Sequence, residues 1–90
     1  MRVGISSSDW QDLEVKMQQN FSEGDNYQIQ NVGGGKIMIE EATDKPAKDE
    51  KAGYVVAPEK WIGLTKENKK FWVKAITEDG SIINITKKED

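Results

Sequence analysis

Cysteine and histidine are both missing from this sequence of 90 residues. Without cysteine, the chain can form neither a disulfide nor a thiolate-bound zinc or iron–sulfur centre. Without histidine, it lacks the commonest general base and the commonest transition-metal ligand, which excludes Ser-His-Asp, Cys-His and His-zinc chemistry. The composition therefore predicts a protein that is not an enzyme, with no catalytic residue, no metal and no cofactor.

Long apolar runs and an excess of positive charge are lacking as well. No segment approaches the ~20 apolar residues of a membrane span, and residues 1–4 lead into serines instead of the apolar run of a signal peptide. We therefore expect synthesis in a cytoplasm and no membrane partner. A net charge of −3 disfavours binding to nucleic acid, whose affinity for proteins depends on Lys and Arg side chains.

The residues that are present suit one small domain covering residues 1–90. Alternating or β-prone segments occur at residues 13–18, 27–32, 36–40, 53–57, 60–65, 71–76 and 82–86. These seven segments have the spacing of an antiparallel sandwich or barrel. The sequence predicts an all-β fold, a small antiparallel β-sandwich or barrel-like domain of about seven short strands. Residues 1–9 and 87–90 are expected to be flexible ends.

Two turns rich in glycine predict β-hairpins. Gly33-Gly34-Gly35 separates the second and third segments, and Asp79-Gly80 separates the last two. The side chains expected on the inner faces of these hairpins are Tyr27, Ile29, Ile37, Ile39, Trp72, Ile76, Ile83 and Ile85. The glycine triplet with Lys36 lacks the spacing of a phosphate-binding loop, so a turn is favoured.

Residues 8–20 carry two competing patterns. Strand alternation places Leu13, Val15 and Met17 on one face. Helical spacing instead groups Trp10, Leu13, Met17 and Phe21, and a capping box of Ser8 and Gln11 would support a helix. Because Val15 lies on the apolar face only in the extended form, the strand is favoured.

Apart from Pro46, residues 42–52 contain no apolar side chain larger than alanine, and they are expected to form a charged surface loop. The carboxylates in and before this loop lack the spacing of a calcium-binding EF-hand. A short chain also leaves little room for the substrate cleft of a glycoside hydrolase. These charges are therefore interpreted as solubilising.

The aromatic residues are the best candidates for function. Trp61 faces away from Ile62 and Leu64 in an extended strand, and Trp is enriched at the centres of protein interfaces. We predict a protein-binding surface made by Trp61, Ile62, Leu64 and Tyr54. Two other aromatic residues, Phe71 and Trp72, are flanked by β-branched residues and are predicted to lie in the core.

Two alternatives come from other functional classes. The first is a single-stranded nucleic-acid-binding β-barrel in which Phe71 and Trp72 stack on bases beside Lys69, Lys70 and Lys74. The second is a small protein inhibitor, an interaction module, or an enzyme that uses carboxylates alone. A steep salt dependence of binding would identify the first, and a pH profile with a raised midpoint would identify a carboxylate enzyme.

A series of short motifs resembles those of small bacteriophage virion proteins of about this length. The motifs are Trp10, Tyr27-Gln28-Ile29-Gln30-Asn31, the glycine-rich turn, residues 37–42, Pro46-Ala47, Gly53-Tyr54-Val55-Val56-Ala57-Pro58 and Phe71-Trp72-Val73-Lys74-Ala75. The chain departs from that pattern in the charged residues 44–51 and in Glu59-Lys60-Trp61 after Pro58, where Pro-Gly is usual.

This resemblance implies a compact β domain that serves as a capsid-decoration, head-fibre or tail accessory component, often as a symmetric oligomer such as a trimer. The partners it implies are the chain itself and other virion proteins, and the location it implies is the virion. From the resemblance and the composition together, we expect a non-enzymatic structural component of a phage particle.

Overall fold

The structure, a computed structural model, describes residues 2–50 and 53–88 and confirms the all-β prediction. The described residues form one short helix and eight strands: β1 (Arg2–Ile5), β2 (Gln11–Asp12), α1 (Leu13–Met17), β3 (Asn26–Asn31), β4 (Ile37–Ala42), β5 (Tyr54–Val56), β6 (Trp61–Thr65), β7 (Lys70–Ala75) and β8 (Ser81–Lys88). The segments predicted as flexible ends contribute residues 2–5 to β1 and residues 87–88 to β8, while residues 1, 89 and 90 lie outside the description.

The strands form two four-stranded antiparallel sheets. The first sheet has the order β1-β8-β3-β6, and the second has the order β2-β7-β4-β5. The pairs β1–β8, β2–β7, β3–β6 and β4–β5 are nested, as in one long hairpin whose tip joins β4 to β5. The pairs β3–β8 and β4–β7 roll this hairpin into two sheets. This is the topology of a jelly roll.

Side-chain alternation places the main core between the two sheets. In β3, Tyr27, Ile29 and Asn31 are buried, whereas residues 28 and 30 are only half-buried on the other side. The core side chains are Ile5, Leu13, Met17, Phe21, Tyr27, Ile29, Ile37, Ile39, Val56, Leu64, Phe71, Val73, Ala75, Ile83 and Ile85. The inward positions predicted for Ile37 and Ile39 and for Ile83 and Ile85 are therefore confirmed. Ile76, which was also expected to face inward, lies beyond the end of β7 and is exposed.

Neither predicted hairpin forms, because each glycine-containing connection crosses from one sheet to the other. β3 and β4 lie in different sheets, and so do β7 and β8. The two connections pack against each other: a Cβ on Gly33 would lie 2.4 Å from Ser81 Oγ, and one on Gly35 would lie 2.6 Å from the Gly80 carbonyl oxygen. Glycine therefore serves the close approach of two backbones here.

Asn31 links these connections to both sheets. Its side chain is fully buried, and its Nδ2 donates to the carbonyl oxygens of Gly35 at 2.6 Å and Val56 at 2.9 Å. Its Oδ1 accepts from the Gly33 N–H at 3.2 Å and from Ser81 Oγ at 2.7 Å. Both donors and both acceptor positions of the amide are thus used, as burial of a polar group requires.

The strand favoured for residues 13–18 is wrong, because this segment forms α1. Asp12 caps the helix by accepting the Glu14 N–H at 3.0 Å, which replaces the predicted capping box of Ser8 and Gln11. Leu13 and Met17 are one helical turn apart and both buried. Val15, which favoured the strand, faces solvent and is 70% exposed.

A second apolar cluster lies on the outer face of the second sheet. Trp10, Met38 and Trp72 are buried together there, with Ala42 packed against them. Trp72 is therefore buried as predicted, but on the opposite face of β7 from Phe71 and Val73. Both faces of this strand carry apolar side chains, so alternation could not assign Trp72 to a side.

The charged loop after β4 covers this second cluster. The Trp10 indole N–H donates to the Ala47 carbonyl oxygen at 3.1 Å, and Lys74 Nζ donates to the Lys48 carbonyl oxygen at 2.5 Å. Most of the loop is exposed, as predicted, but Pro46 is buried. Residues 51 and 52 of the predicted loop lie outside the described part of the chain.

Candidate functional site

The four residues predicted to bind protein do not form one surface. Leu64 lies opposite Tyr27 in the core, and Ile62 is partly buried against the same core. Their inclusion in an exposed surface is therefore wrong, because both lie on the inward face of β6. Trp61 and Tyr54 are exposed, at 61% and 49% of their surface.

Phe71 and Trp72 are closed to a stacking ligand. Phe71 is 1% exposed within the main core. Trp72 is covered in the second cluster, and its indole N–H donates to the Ala42 carbonyl oxygen at 3.0 Å. Base stacking requires an accessible ring face, so these two residues cannot form the nucleic-acid platform considered for them.

The outer face of the first sheet is polar and accessible, and we call it the amide face. Strand register aligns side chains across it, because directly opposed residues in an antiparallel pair share a face. Its residues are Arg2, Gly4, Asn26, Gln28, Gln30, Trp61, Gly63, Thr65, Ile82, Asn84, Thr86 and Lys88. One row crosses all four strands in the order Arg2, Asn84, Gln30 and Trp61. With strands about 4.8 Å apart, this row is about 14 Å long.

Trp61 lies along the amide face beside a glycine. Its ring atom Cζ3 lies 3.8 Å from the position that a Cβ would take on Gly63, two residues along the same strand. This is an ordinary van der Waals distance, so the indole lies over the strand next to Gly63, where a side chain larger than alanine would compete with it for space. The result is a large aromatic surface that is open to solvent and flanked by amide side chains.

Two hydrogen bonds join polar side chains of this face to one another. Lys88 Nζ donates to Gln28 Oε1 at 3.2 Å, and Thr65 Oγ1 donates to Asn26 Oδ1 at 2.5 Å. In both pairs the amide contributes its oxygen. Within residues 2–50 and 53–88, the amide N–H groups of Asn26 and Gln28 and the whole amide of Gln30 make no side-chain hydrogen bond. These groups are available to a ligand.

A second exposed surface lies on β5, the outermost strand of the second sheet. Tyr54 is about half exposed, and its neighbour Val55 is 60% exposed. Val55 lies opposite Met38 and extends the outer face of the second sheet, whereas Tyr54 lies opposite the inward-facing Ile39 and projects to the other side of the strand. Along its other edge, β5 pairs with no strand among the described residues. Val55 was not singled out from the sequence, since its neighbours are apolar on both sides.

The loop over the second cluster is held at one end by an ion pair. Lys45 Nζ donates a hydrogen bond to Asp9 Oδ2. This hydrogen bond, followed by that from the Trp10 backbone N–H, lowers the pKa of the exposed Asp9 carboxyl. The pair joins the loop to the segment that contains Trp10, but it does not form a catalytic arrangement.

A shallow pocket lies where the two glycine-containing connections meet. It has a volume of about 350 Å³ and is lined by Gly33, Gly34, Gly35, Thr77, Asp79, Gly80, Ser81 and Ile82. β4 follows the glycine triplet directly, so no helix begins here to hold a phosphate. Asp79 is the only charged side chain in the lining.

The described residues lack two further kinds of feature. They contain no group of three or more acidic side chains placed to hold a metal ion. They also contain no helix with the length and apolar character needed to cross a membrane.

Comparison with known proteins provides no family for this arrangement. No protein-family model, no curated protein and no solved structure matches the chain. The two exposed surfaces are therefore interpreted from their own chemistry.

Proposed function

We propose that this protein is a non-enzymatic structural component of a bacteriophage particle, a decoration, fibre or tail accessory domain that assembles with itself and with other virion proteins. Its jelly-roll topology supports this proposal, since viral capsid domains commonly use that architecture. Lectin domains and cupins share the architecture, so the topology supports the proposal only by analogy, and the exposed surface provides the specific support.

The observation that carries the proposal is the exposed apolar side chains of the edge strand β5. Tyr54 and Val55 project to opposite sides of this edge strand, and each leaves about half or more of its surface in contact with water. Burial of such side chains at the centre of a contact is favourable in proportion to the apolar area removed from water. The open edge of β5 also offers unpaired backbone groups that a neighbouring subunit would cover.

Self-association is tested by measuring the mass of the full chain by light scattering from micromolar to millimolar concentration. We expect an oligomer, and we expect Val55→Glu to weaken its assembly at least tenfold, because a charge would enter an apolar contact. The matched control is Val15→Glu, which places the same charge at a valine on α1 that is at least as exposed and should leave assembly unchanged. A chain that stays monomeric throughout, or a Val15→Glu effect as large as that of Val55→Glu, would contradict the proposed surface.

The location in a virion is tested separately. Mass spectrometry of phage particles purified from cells that carry the gene should detect the chain at a fixed ratio to the major capsid protein. Its absence from such particles would refute the virion role, whatever its oligomeric state.

A further inference from the structure

We propose that the amide face binds a neutral oligosaccharide, with Trp61 as the stacking surface and Gln30 as the central hydrogen-bonding group. This activity goes beyond assembly of a particle and does not depend on it. The surface used is also different, since assembly is assigned to β5 and the amide face belongs to the first sheet.

The exposed indole is the first argument. Trp61 is 61% exposed, so its ring is accessible to a ligand that can contact an apolar surface and the indole N–H together. Its ring leans over Gly63 and presents a flat apolar surface beside polar groups. A pyranose ring has the matching form, because its axial C–H groups make an apolar face and its hydroxyls project at the rim.

The side chains beside the indole provide the second argument. Gln30 lies directly opposite Trp61, and Gln28 and Asn26 follow at alternate positions of β3. Each amide has two N–H donors and a carbonyl oxygen, so it can both donate to and accept from a sugar hydroxyl. A row of neutral amides next to an aromatic ring therefore matches a ligand with many hydroxyls and no charge.

Charge provides the third argument. The chain has 16 acidic residues, yet none is among the residues of the amide face. The cations of the face, Arg2 and Lys88, lie at its margins on β1 and at the end of β8. Neither cation lies directly beside Trp61, because Arg2 is at the far end of its row and Lys88 lies opposite Asn26 in another row. The centre is thus uncharged, which suits a neutral glycan better than the phosphate backbone of single-stranded nucleic acid, whose binding sites line a basic groove.

A protein partner fits this face less well. The centres of protein interfaces are enriched in large apolar side chains. Between Trp61 and the margin at Arg2, the row across the amide face contains only amides. The exposed apolar residue Ile82 belongs to another row, beside Gly4.

The test is electrophoresis of the full chain in native gels that contain dextran, soluble starch, galactomannan, xylan or hydroxyethylcellulose. We expect at least one of these neutral polysaccharides to slow migration, and Trp61→Ala to weaken that binding at least tenfold. Gln30→Ala should weaken it severalfold. Gly63→Val should abolish most of it, because the added methyl groups would displace the indole from the strand, while the melting temperature stays near that of the wild type.

The controls separate this face from β5 and from general charge effects. Tyr54→Ala removes an exposed aromatic side chain from the other surface and should leave binding intact, and Val55→Glu should do the same even if it prevents self-association. Heparin and a thymidine oligonucleotide serve as anionic probes. Failure of all five neutral polysaccharides to slow the wild-type chain, retention of binding by Trp61→Ala, or binding only to the anionic probes would overturn the proposal.

Discussion

Replacement of the buried Asn31 by leucine should lower the free energy of unfolding more than replacement of any exposed residue. Leucine has the same number of side-chain heavy atoms branching at the same position, so the change removes the polar groups of the amide without opening a cavity. The fully buried amide makes four hydrogen bonds, to Gly35, Val56, Gly33 and Ser81. Each buried hydrogen bond contributes about 1 kcal/mol net, so we expect a loss of about 4 kcal/mol in the free energy of unfolding.

This loss is large for a small domain, whose total stability is about 5–15 kcal/mol. A comparison of Ser81→Ala, Asn31→Leu and the double variant shows how much of the loss comes from hydrogen bonds to the Asn31 amide. Ser81→Ala removes only the hydroxyl donor to Asn31 Oδ1 and should cost about 1 kcal/mol. In the Asn31→Leu background the same alanine should cost less, because the acceptor is already gone and the two sites are coupled.

The assay is urea denaturation followed by tryptophan fluorescence, in which a shift of the midpoint at constant slope reports stability. Gln30→Leu is the matched control, because it replaces an amide by leucine at the preceding residue of β3, whose side chain lies on the outer face of the sheet. We expect it to change the free energy of unfolding by no more than about 0.5 kcal/mol. An Asn31→Leu protein that loses less than about 1 kcal/mol would refute the idea that this amide holds the two connections together.

Two further predictions concern the connections and the loop. Gly33→Ala should lower the free energy of unfolding by about 1–3 kcal/mol, because the added Cβ would lie 2.4 Å from Ser81 Oγ. Gly34→Ala should be nearly neutral, because a Cβ there would have no atom within 4 Å. Equal melting temperatures for the two variants would contradict the observed packing. Lys45→Met should raise the pKa of Asp9 toward its usual value in an NMR titration, because the main cause of its lowering is removed. Since that pKa is lowered in the folded chain, the stabilisation by this ion pair is present at neutral pH and is lost as the pH falls through the lowered pKa. An unchanged titration of Asp9 in Lys45→Met would show that this ion pair does not hold the loop.

The strands were predictable from the sequence because alternation is a local property. Residues such as Tyr27 and Ile29 identify both the strand and its inner face. The topology was not predictable in the same way, since Gly33 and Gly80 have the sequence signals of hairpin turns. Gly33 instead lets the two connections between the sheets approach each other, and Gly80, at φ +75°, lies against the carbonyl oxygen of Ile5; both contacts depend on residues far away in the sequence.

The candidate sites were partly predictable for a similar reason. An exposed Trp61 follows from its position opposite the apolar face of β6, but the row that joins it to Gln30 and Arg2 depends on the register of four strands. A strand was predicted where α1 forms because Val15 completes an apolar alternation, and the sequence alone does not show that this valine is exposed.

The nested order of the strand pairs has a consequence for folding kinetics. Only β4 and β5, the pair at the tip, are neighbours in the sequence, and each later pair closes a longer loop around them. Loop closure costs more entropy as the loop grows, so pairing is expected to proceed from the tip towards β1 and β8 and to be slow for a chain of this size. Lengthening the connection between β4 and β5 should therefore slow the folding of the whole molecule, although none of the described residues of that connection belongs to the main core.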